Sequence, residues 1–470
     1  MKLNKILLII IILIATLLRI YKIDSYPSIN PDEAALGYNA YSLIKTGKDE
    51  HGAVWPLHFK SFGDYKPGGY VYLALPFIYL FDLNTLSVRL PNILLSIVSI
   101  YFLYLVIKNI TKNESLSLLT IFLIAVSPWH IQFSRGSWES CTALSFTIIG
   151  IYFYLKERWI ISALLFSASM YTYHSARIVT PLLILLLFYV FKKVNKKFIV
   201  ILLIATLPVL VSFLKNGGTA RFGGVGITAD QGPLWRANEL LNHHMNTKIF
   251  NRVMHNQRIL YSLSWLEKYT SHYNLNFLYT TGDAVPRSKI PESGQSHMVL
   301  VLFFSLGIYF LLKDENTRLK KIIIGLILIS PLASSLTYQA PSALRSLPMV
   351  IPLEFISAYG IFSLYKKIYY KKAFKVLFTI AILWSVGSYL TTYYYRYTEE
   401  LPTSWPWTAK QSIENKDYQN IDADQPYIMY LFYTKYDPSR LQAQIKLTPP
   451  DIYGFSTVEQ IDDIIFKPKK

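Results

Sequence analysis

The sequence predicts an all-α polytopic membrane protein with about 11 transmembrane helices, and three observations carry that prediction. The 470 residues are 52% hydrophobic and only 16% charged, with a mean hydropathy of +0.29. Soluble domains carry about a quarter charged residues. Apolar runs such as 6–18, 182–191 and 199–214 recur too often for one water-soluble core. They lack the period-two alternation of barrel strands, and a bilayer admits only helices or closed barrels. Lysines, finally, cluster between the runs: Lys192, Lys193, Lys196 and Lys197, then Lys313, Lys320 and Lys321, then Lys366, Lys367, Lys371 and Lys372. That is the positive-inside pattern. It accounts for the net charge of +18 and a pI of about 9.5 without a nucleic-acid partner.

The spanning candidates, in chain order, are 6–20, 88–107, 116–127, 140–155, 159–173, 178–191, 198–214, 297–312, 322–338, 344–365 and 375–395. Several fall short of the ~20 residues of a perpendicular span, and flanking Tyr, Trp, Lys and Arg extend them by interfacial anchoring. Residues 1–18 resemble a signal peptide in charge and length. They lack a small-residue cleavage site and read as a retained first helix. Placing the lysine clusters in the cytoplasm puts the N terminus inside, and 21–87, 215–296 and the C terminus outside. The apolar dozen 70–81 is then expected to be re-entrant or interface-lying, with a short crossing as the alternative.

Residues 1–395 are expected to form the transmembrane domain, with 21–87 as a first external loop and 215–296 as a large one. The large loop is punctuated by Gly217, Gly218, Gly223 and Gly224 and is amphipathic over 234–266. Residues 396–470 form a small external segment, in which 427–433 read as strand and 457–466 as a short helix. The single cysteine, Cys141, excludes an intrachain disulfide and reads as packing. N-x-S/T triplets at Asn109 and Asn113 fall on the inner side.

Residues 27–72 concentrate the polar chemistry: Asp32, Glu33, Asp49, Glu50 and Asp64 stand with Lys45, Lys48, Lys60 and Lys66. After Pro31, Asp32-Glu33 could simply cap a helix and complement its dipole. A carboxylate at the interface can also act as general base toward a hydroxyl while a nearby cation holds a phosphate leaving group. Lys66 reads either as a snorkelling lysine or as that cation. Pro67 is expected to start a helix, with Gly68-Gly69 leaving its first turn open to an anion. Arg89, Arg135, Arg177, Arg287 and Arg345 lie on the predicted outer side, against the usual charge bias. They either pair with acids such as Asp32, Glu33, Glu139 and Glu354 or surround a phosphate. Tyr38, Tyr65, Tyr173 and Tyr338 suit stacking on a sugar or steering a polyprenyl chain. His243-His244, His272 and His297 lack metal-ligand spacing, and no phosphate-binding G-x-x-x-x-G-K-[ST] or nucleophile G-x-S-x-G is present.

The stretch INPDEAALGYNAYSLIKTGKDEHG, then FGDYKPGGYVYLALP and VRLPN, resembles the first loop of GT-C class membrane glycosyltransferases. Specifically it is similar to glycosyltransferase family 39, the protein mannosyltransferase and aminoarabinose transferase group. The likeness continues through SPWHIQFSRGSWES, YTYHSAR, FLYTTGDAVPRSKIPESGQ and RSLPMVIPLEFISAYG, and so covers about 6–365. The resemblance implies a GT-C fold and transfer of a sugar from a polyprenyl-phosphate carrier to an acceptor at the non-cytoplasmic face. It implies Asp32 as general base with Glu33 as its partner, and Lys66 and Arg89 toward the donor phosphate.

Two positions depart from the family pattern. Gly68 stands where some relatives have a second proline, and Tyr65 where some have an acid that helps bind a metal. Asp64 is the substitute beside it, so a divalent ion stays open and no cofactor is fixed. The acceptor is a lipid, protein or polysaccharide hydroxyl or amine, and the setting is a plasma membrane. A lipid-linked-sugar transporter or flippase is the alternative from another class, although transporters usually place paired repeats and polar residues at mid-bilayer. An oligosaccharide transferase or polymerase on the same fold differs in donor size.

Overall fold

In a computed structural model, residues 2–215, 226–243, 253–449 and 456–466 are described. Gly217, Gly218, Gly223, Gly224 and His244 lie outside them. The eleven apolar runs fold mainly as helix, with 322–338 broken at Ser330-Pro331 and non-helical over 336–338. The first ten helices are α1 (Lys2–Ile20), α2 (Pro31–Thr46), α3 (Gly69–Phe81), α4 (Thr85–Thr111), α5 (Glu114–Val126), α6 (Pro128–Arg135), α7 (Glu139–Leu155), α8 (Trp159–Thr172), α9 (Ala176–Phe191) and α10 (Lys196–Lys215). The large loop contributes α11 (Gly232–His243) and α12 (Gln257–Ser271), consistent with its amphipathic pattern. Then come α13 (Val301–Lys313), α14 (Thr317–Ile329), α15 (Leu332–Ser335), α16 (Val350–Lys367) and α17 (Lys371–Thr391).

Among the described residues, four helical stretches are long and apolar enough to cross a membrane: 3–20, 85–111, 347–367 and 371–400. A fifth forms if α5 and α6, bent by 58° at Ser127-Pro128, count as one broken span. Pro128 lacks the N–H that would continue the α5 ladder, which sets the bend there. The segment around Arg135 is therefore a buried helix, not an open external loop. Five shorter apolar helices, including α7, α8 and α9, pack among the long ones. Helices α13 and α16 cross closely: a Cβ on Gly307 would lie 1.9 Å from Ile356 O, and one on Gly360 1.9 Å from Phe303 O. Small residues at such crossings let backbones approach where lipid supplies no hydrophobic drive.

Two hairpins complete the fold. Strands β1 (His58–Ser61) and β2 (Asp64–Pro67) pair antiparallel, with Phe59 opposite Lys66. The tail folds as α18 (Tyr397–Glu400), α19 (Ala409–Glu414), α20 (Pro426–Thr434) and α21 (Pro438–Gln444), then β3 (Gln460–Ile461) and β4 (Ile464–Ile465). The sequence reading of this tail is reversed: 427–433 is helical, and 457–466 holds a hairpin. Residues 426–432 are buried without a break. An apolar run of that length suits a buried strand or a buried helix equally, and Pro426 at the first helical position favours the helix.

Apolar burial divides into three clusters. The largest joins α1, α4, α5, α13, α16 and α17, and another joins α4, α7, α8, α9 and α10. The remaining cluster packs α2, α3 and β1 against α19, α20 and α21. Ala34, Tyr38 and Leu43 of α2 meet Ile428, Leu431 and Leu441 of the tail there.

Candidate active site

The site is built around the first turn of α2. Asn30 caps that helix: its side chain accepts from Glu33 N at 3.0 Å, and Glu33 reaches back to Asn30 N at 3.2 Å. Pro31 occupies the first helical position, where its missing N–H is not needed. Asp32 follows with its side chain 44% exposed, and Lys66 Nζ from β2 pairs with its Oδ1. The ammonium also lies 5.0 Å from the centre of the Phe62 ring. Hairpin and helix start thus place an acid and a cation together at the protein's rim.

Glu33 points inward and is enclosed. It receives Arg89 Nε at 2.9 Å and Nη2 at 2.8 Å, together with Ser137 N at 2.7 Å. The other Arg89 hydrogens go to Ile23 O, Pro27 O and Ser28 O at 2.9–3.1 Å. All five guanidinium hydrogens are used, so Arg89 has no donor left for a phosphate. It ties the first loop to α4 through the Glu33 carboxylate. Arg135 is similarly committed: it donates to Leu18 O, Tyr21 O and Tyr26 O at 2.7–2.9 Å and sits 5.4 Å from both the Tyr393 and Tyr394 ring centres. It closes the C-terminal end of α1.

Arg177, at the second position of α9, does reach the hairpin. Its Nη2 donates to His58 Nε2 at 2.8 Å, and its Nε to Met170 O at 3.1 Å. Burial first, and then the Arg177 guanidinium, push His58 down to about 4. At neutral pH it is an uncharged acceptor, and its Nδ1 donates to Ser212 Oγ at 2.7 Å. His174 Nε2 donates to Tyr65 O at 3.1 Å. The sequence reading missed both histidines, although His174 stands in the YHSAR motif beside Arg177.

Gly68 and Gly69 serve packing rather than ligand access. A Cβ on Gly68 would meet Phe59 at 2.6 Å and Leu57 O at 2.9 Å, and one on Gly69 would meet Tyr171 O at 2.7 Å. Pro67 ends β2, and the helix begins at Gly69. Tyr38 faces the tail, donating to Tyr436 O at 2.9 Å in a fully buried position. Tyr65 is 38% exposed beside Lys66, and Asp64 accepts from Tyr65 N in the hairpin turn. Among the described residues no three His, Cys, Asp or Glu side chains converge to hold a metal.

Arg345 lies at one end of an apolar cleft between α4, α7, α9, α14 and α16. It donates to Gln339 O at 3.2 Å and lines the cleft with Tyr173 and Ser175. Leu103, Leu144, Leu183, Ile322 and Ile351 form the walls, and Ile110 and Leu319 lie at the far end. His174 and Arg177 join the hairpin to the start of α9, and Ala176 and Val179 of that helix line the cleft. Arg287 stands apart from it, 3.6 Å from Asp424 of the tail.

The chain's first half matches the family model described as dolichyl-phosphate-mannose-protein mannosyltransferase, over residues 9–211. Among solved structures, ArnT from Cupriavidus metallidurans bound to undecaprenyl phosphate aligns with a TM-score of 0.52 at 10% identity. That match covers 93% of this chain and 77% of the other. The chain has the GT-C fold. Over residues 9–211 it carries the pattern of the mannosyltransferase family, as the motifs of its first loop imply. The oligosaccharyltransferase from Archaeoglobus fulgidus aligns at a TM-score of 0.49 and 13% identity over 83% of this chain. This chain spans 55% of that protein's length. Comparison with curated proteins gives no match.

Proposed function

We propose that this GT-C protein transfers a sugar from a polyprenyl-phosphate donor to an acceptor at the external membrane face. The observation that carries the reading is the Asp32–Lys66 pair at the first turn of α2, with Arg177 at the start of α9 bonded to the same hairpin. The polyprenyl chain lies between α4, α7, α9, α14 and α16, and its phosphate stays at the mouth near Lys66, Arg177 and Arg345. Asp32 accepts the proton of the acceptor hydroxyl as that oxygen attacks the anomeric carbon. The bond from that carbon to the phosphate oxygen breaks, the electron pair leaves on the phosphate, and the cations stabilise it. A single displacement inverts the anomeric centre. The carrier ester supplies the driving force, so no nucleotide loop is required. The Lys66 ammonium has two tasks: it orients the Asp32 carboxylate in the free protein and faces the phosphate when donor is bound.

The test is transfer of labelled sugar from an undecaprenyl- or dolichyl-phosphate carrier by protein reconstituted in lipid. Asp32→Asn is expected to lower turnover by about 10²–10⁴, the contribution of a positioned base, at unchanged yield and thermal midpoint. Glu33→Ala, in contrast, strands Arg89 and is expected to reduce folded protein. Full turnover by Asp32→Asn would remove Asp32 from the mechanism. Transfer in detergent, without a sealed membrane, separates this reading from a flippase.

A further inference from the structure

Beside the first residue of α2 lies a second cavity of about 220 Å³. Pro31, Arg287, Trp405, Pro406, Asp422 and Asp424 are among its walls. Pro31 and the segments 285–287, 403–406 and 422–424 build it, and hydrogen bonds fix the first two of those segments. The Tyr397 hydroxyl donates to Pro286 O at 3.0 Å and accepts from Trp405 Nε1 at 3.0 Å. Ser28 Oγ donates to Pro406 O at 2.9 Å, and Gln132 Nε2 to Arg287 O at 2.8 Å. Ser28 is itself held by Arg89, so the wall and the start of α2 share one anchor. The cavity is preformed, as small-ligand sites usually are.

We propose that this cavity holds the acceptor and that the acceptor is a saccharide. The inference rests on the reading of Asp32 as base: Pro31 is in the wall, and Asp32 follows it. Arg287 brings planar donors to the cavity wall, and Asp422 and Asp424 bring acceptors. Arg287 Nη2 is 3.6 Å from Asp424 Oδ2, with the carboxylate 71% exposed, so this loose pair can give way to ligand hydroxyls. Carboxylates accept from sugar hydroxyls, and a guanidinium donates to their oxygens. An extended peptide is instead recognised along a sheet edge or groove. The wall segments at 285–287, 403–406 and 422–424 contain no strand.

The experiment uses the full chain in lipid nanodiscs and saturation-transfer NMR with methyl hexosides, an N-acetylglucosamine disaccharide and a Ser/Thr-rich hexapeptide as probes. At least one saccharide is expected to receive saturation, and its binding is expected to weaken about tenfold in Arg287→Ala and in Asp424→Asn, the loss of one charge-assisted hydrogen bond. The hexapeptide is expected to stay silent. Undecaprenyl phosphate binding, measured on the same samples, reports an intact fold, and Asp424→Asn alters an exposed carboxylate without disturbing packing. No saccharide signal in the wild type, a signal unchanged in both variants, or hexapeptide binding sensitive to Arg287→Ala would each overturn the proposal. Failure of the wild type to bind undecaprenyl phosphate would instead sink the donor reading and leave the saccharide result to decide the cavity.

Discussion

Asp32 and Glu33 occupy successive positions in the first turn of α2, so their side chains leave the helix about 100° apart. One meets the hairpin at the rim, and the other enters the protein and meets Arg89. Breaking a buried pair by removing one partner costs about 3–5 kcal/mol, because the other charge is left uncompensated. Glu33 and Arg89 therefore bind the scaffold together, while Asp32 stays available to a substrate. Glu50 shows a different use of burial. It is fully enclosed, with Asn39 Nδ2 at 3.1 Å on one carboxylate oxygen and no hydrogen-bond partner on the other. Burial first, then the nearby Asp49, push it up to about 8, against the pull of Asn39 and Lys66. The folded state thus holds a proton that the unfolded chain loses near 4.5. Stability contributed by this site falls as pH rises from there to about 8 and levels off above it. Glu50→Gln removes this titration while keeping the shape. It is expected to raise the thermal midpoint relative to wild type at pH 8.5 and to leave it nearly unchanged at pH 4.5. Equal effects at both pH values would show that the carboxyl does not titrate with folding.

At the scale of elements, the β1–β2 hairpin and α3 act as one lever that sets where Lys66 sits. Gly68 lies against Phe59 and Leu57 O, Gly69 lies against Tyr171 O, and the far side of the hairpin is held by His58, His174 and Arg177. Gly69→Ala would drive a Cβ into backbone at 2.7 Å. Overpacking of this kind costs about 1–3 kcal/mol. The expected outcome is a lower thermal midpoint together with slower sugar transfer, because relief requires α3 to move off α8 and to carry Lys66 with it. Unchanged transfer at reduced stability would mean that Lys66 keeps its place without that contact. Sequence patterns signalled helix for every apolar run but misread 64–69, since K-P-G-G fits a strand end followed by close packing as well as an open helix start. The tail was misread at 427–433 for a related reason: burial on all sides erases the periodicity that separates strand from helix.

In the whole molecule, one apolar cluster joins α2, α3 and β1 of the first loop, with Val88 of α4, to residues of the tail between 409 and 466. Tyr38 donates to Tyr436 O, and Gln442 Nε2 donates to Ser42 Oγ, Thr46 Oγ1 and Asp49 O at 2.9–3.2 Å. Lys435 pairs with Asp82 just after α3. Removing 409–470 would bare the faces of α2 that carry Ala34, Tyr38 and Leu43. The truncated chain is expected to aggregate or to lose transfer by at least about tenfold, as judged by size exclusion in detergent and by the labelled-sugar assay. A monodisperse, fully active truncation would show that the bundle alone holds α2.

By itself the sequence determined the membrane class, the helices, the concentration of polar residues in the first loop and the likeness to family 39. Each of these is written locally, in runs of apolar residues, lysine clusters and contiguous motifs. Only the tertiary structure decided which charges are available. Five arginines looked equivalent along the chain, yet Arg89 and Arg135 spend their hydrogens on Glu33 and on backbone carbonyls, while Arg177 and Arg345 stand near the cleft. A guanidinium's partners lie tens to hundreds of residues away, and a buried charge must find them wherever the fold brings them. The tail's packing against α2 is equally non-local, because the two segments are almost 400 residues apart and share no motif.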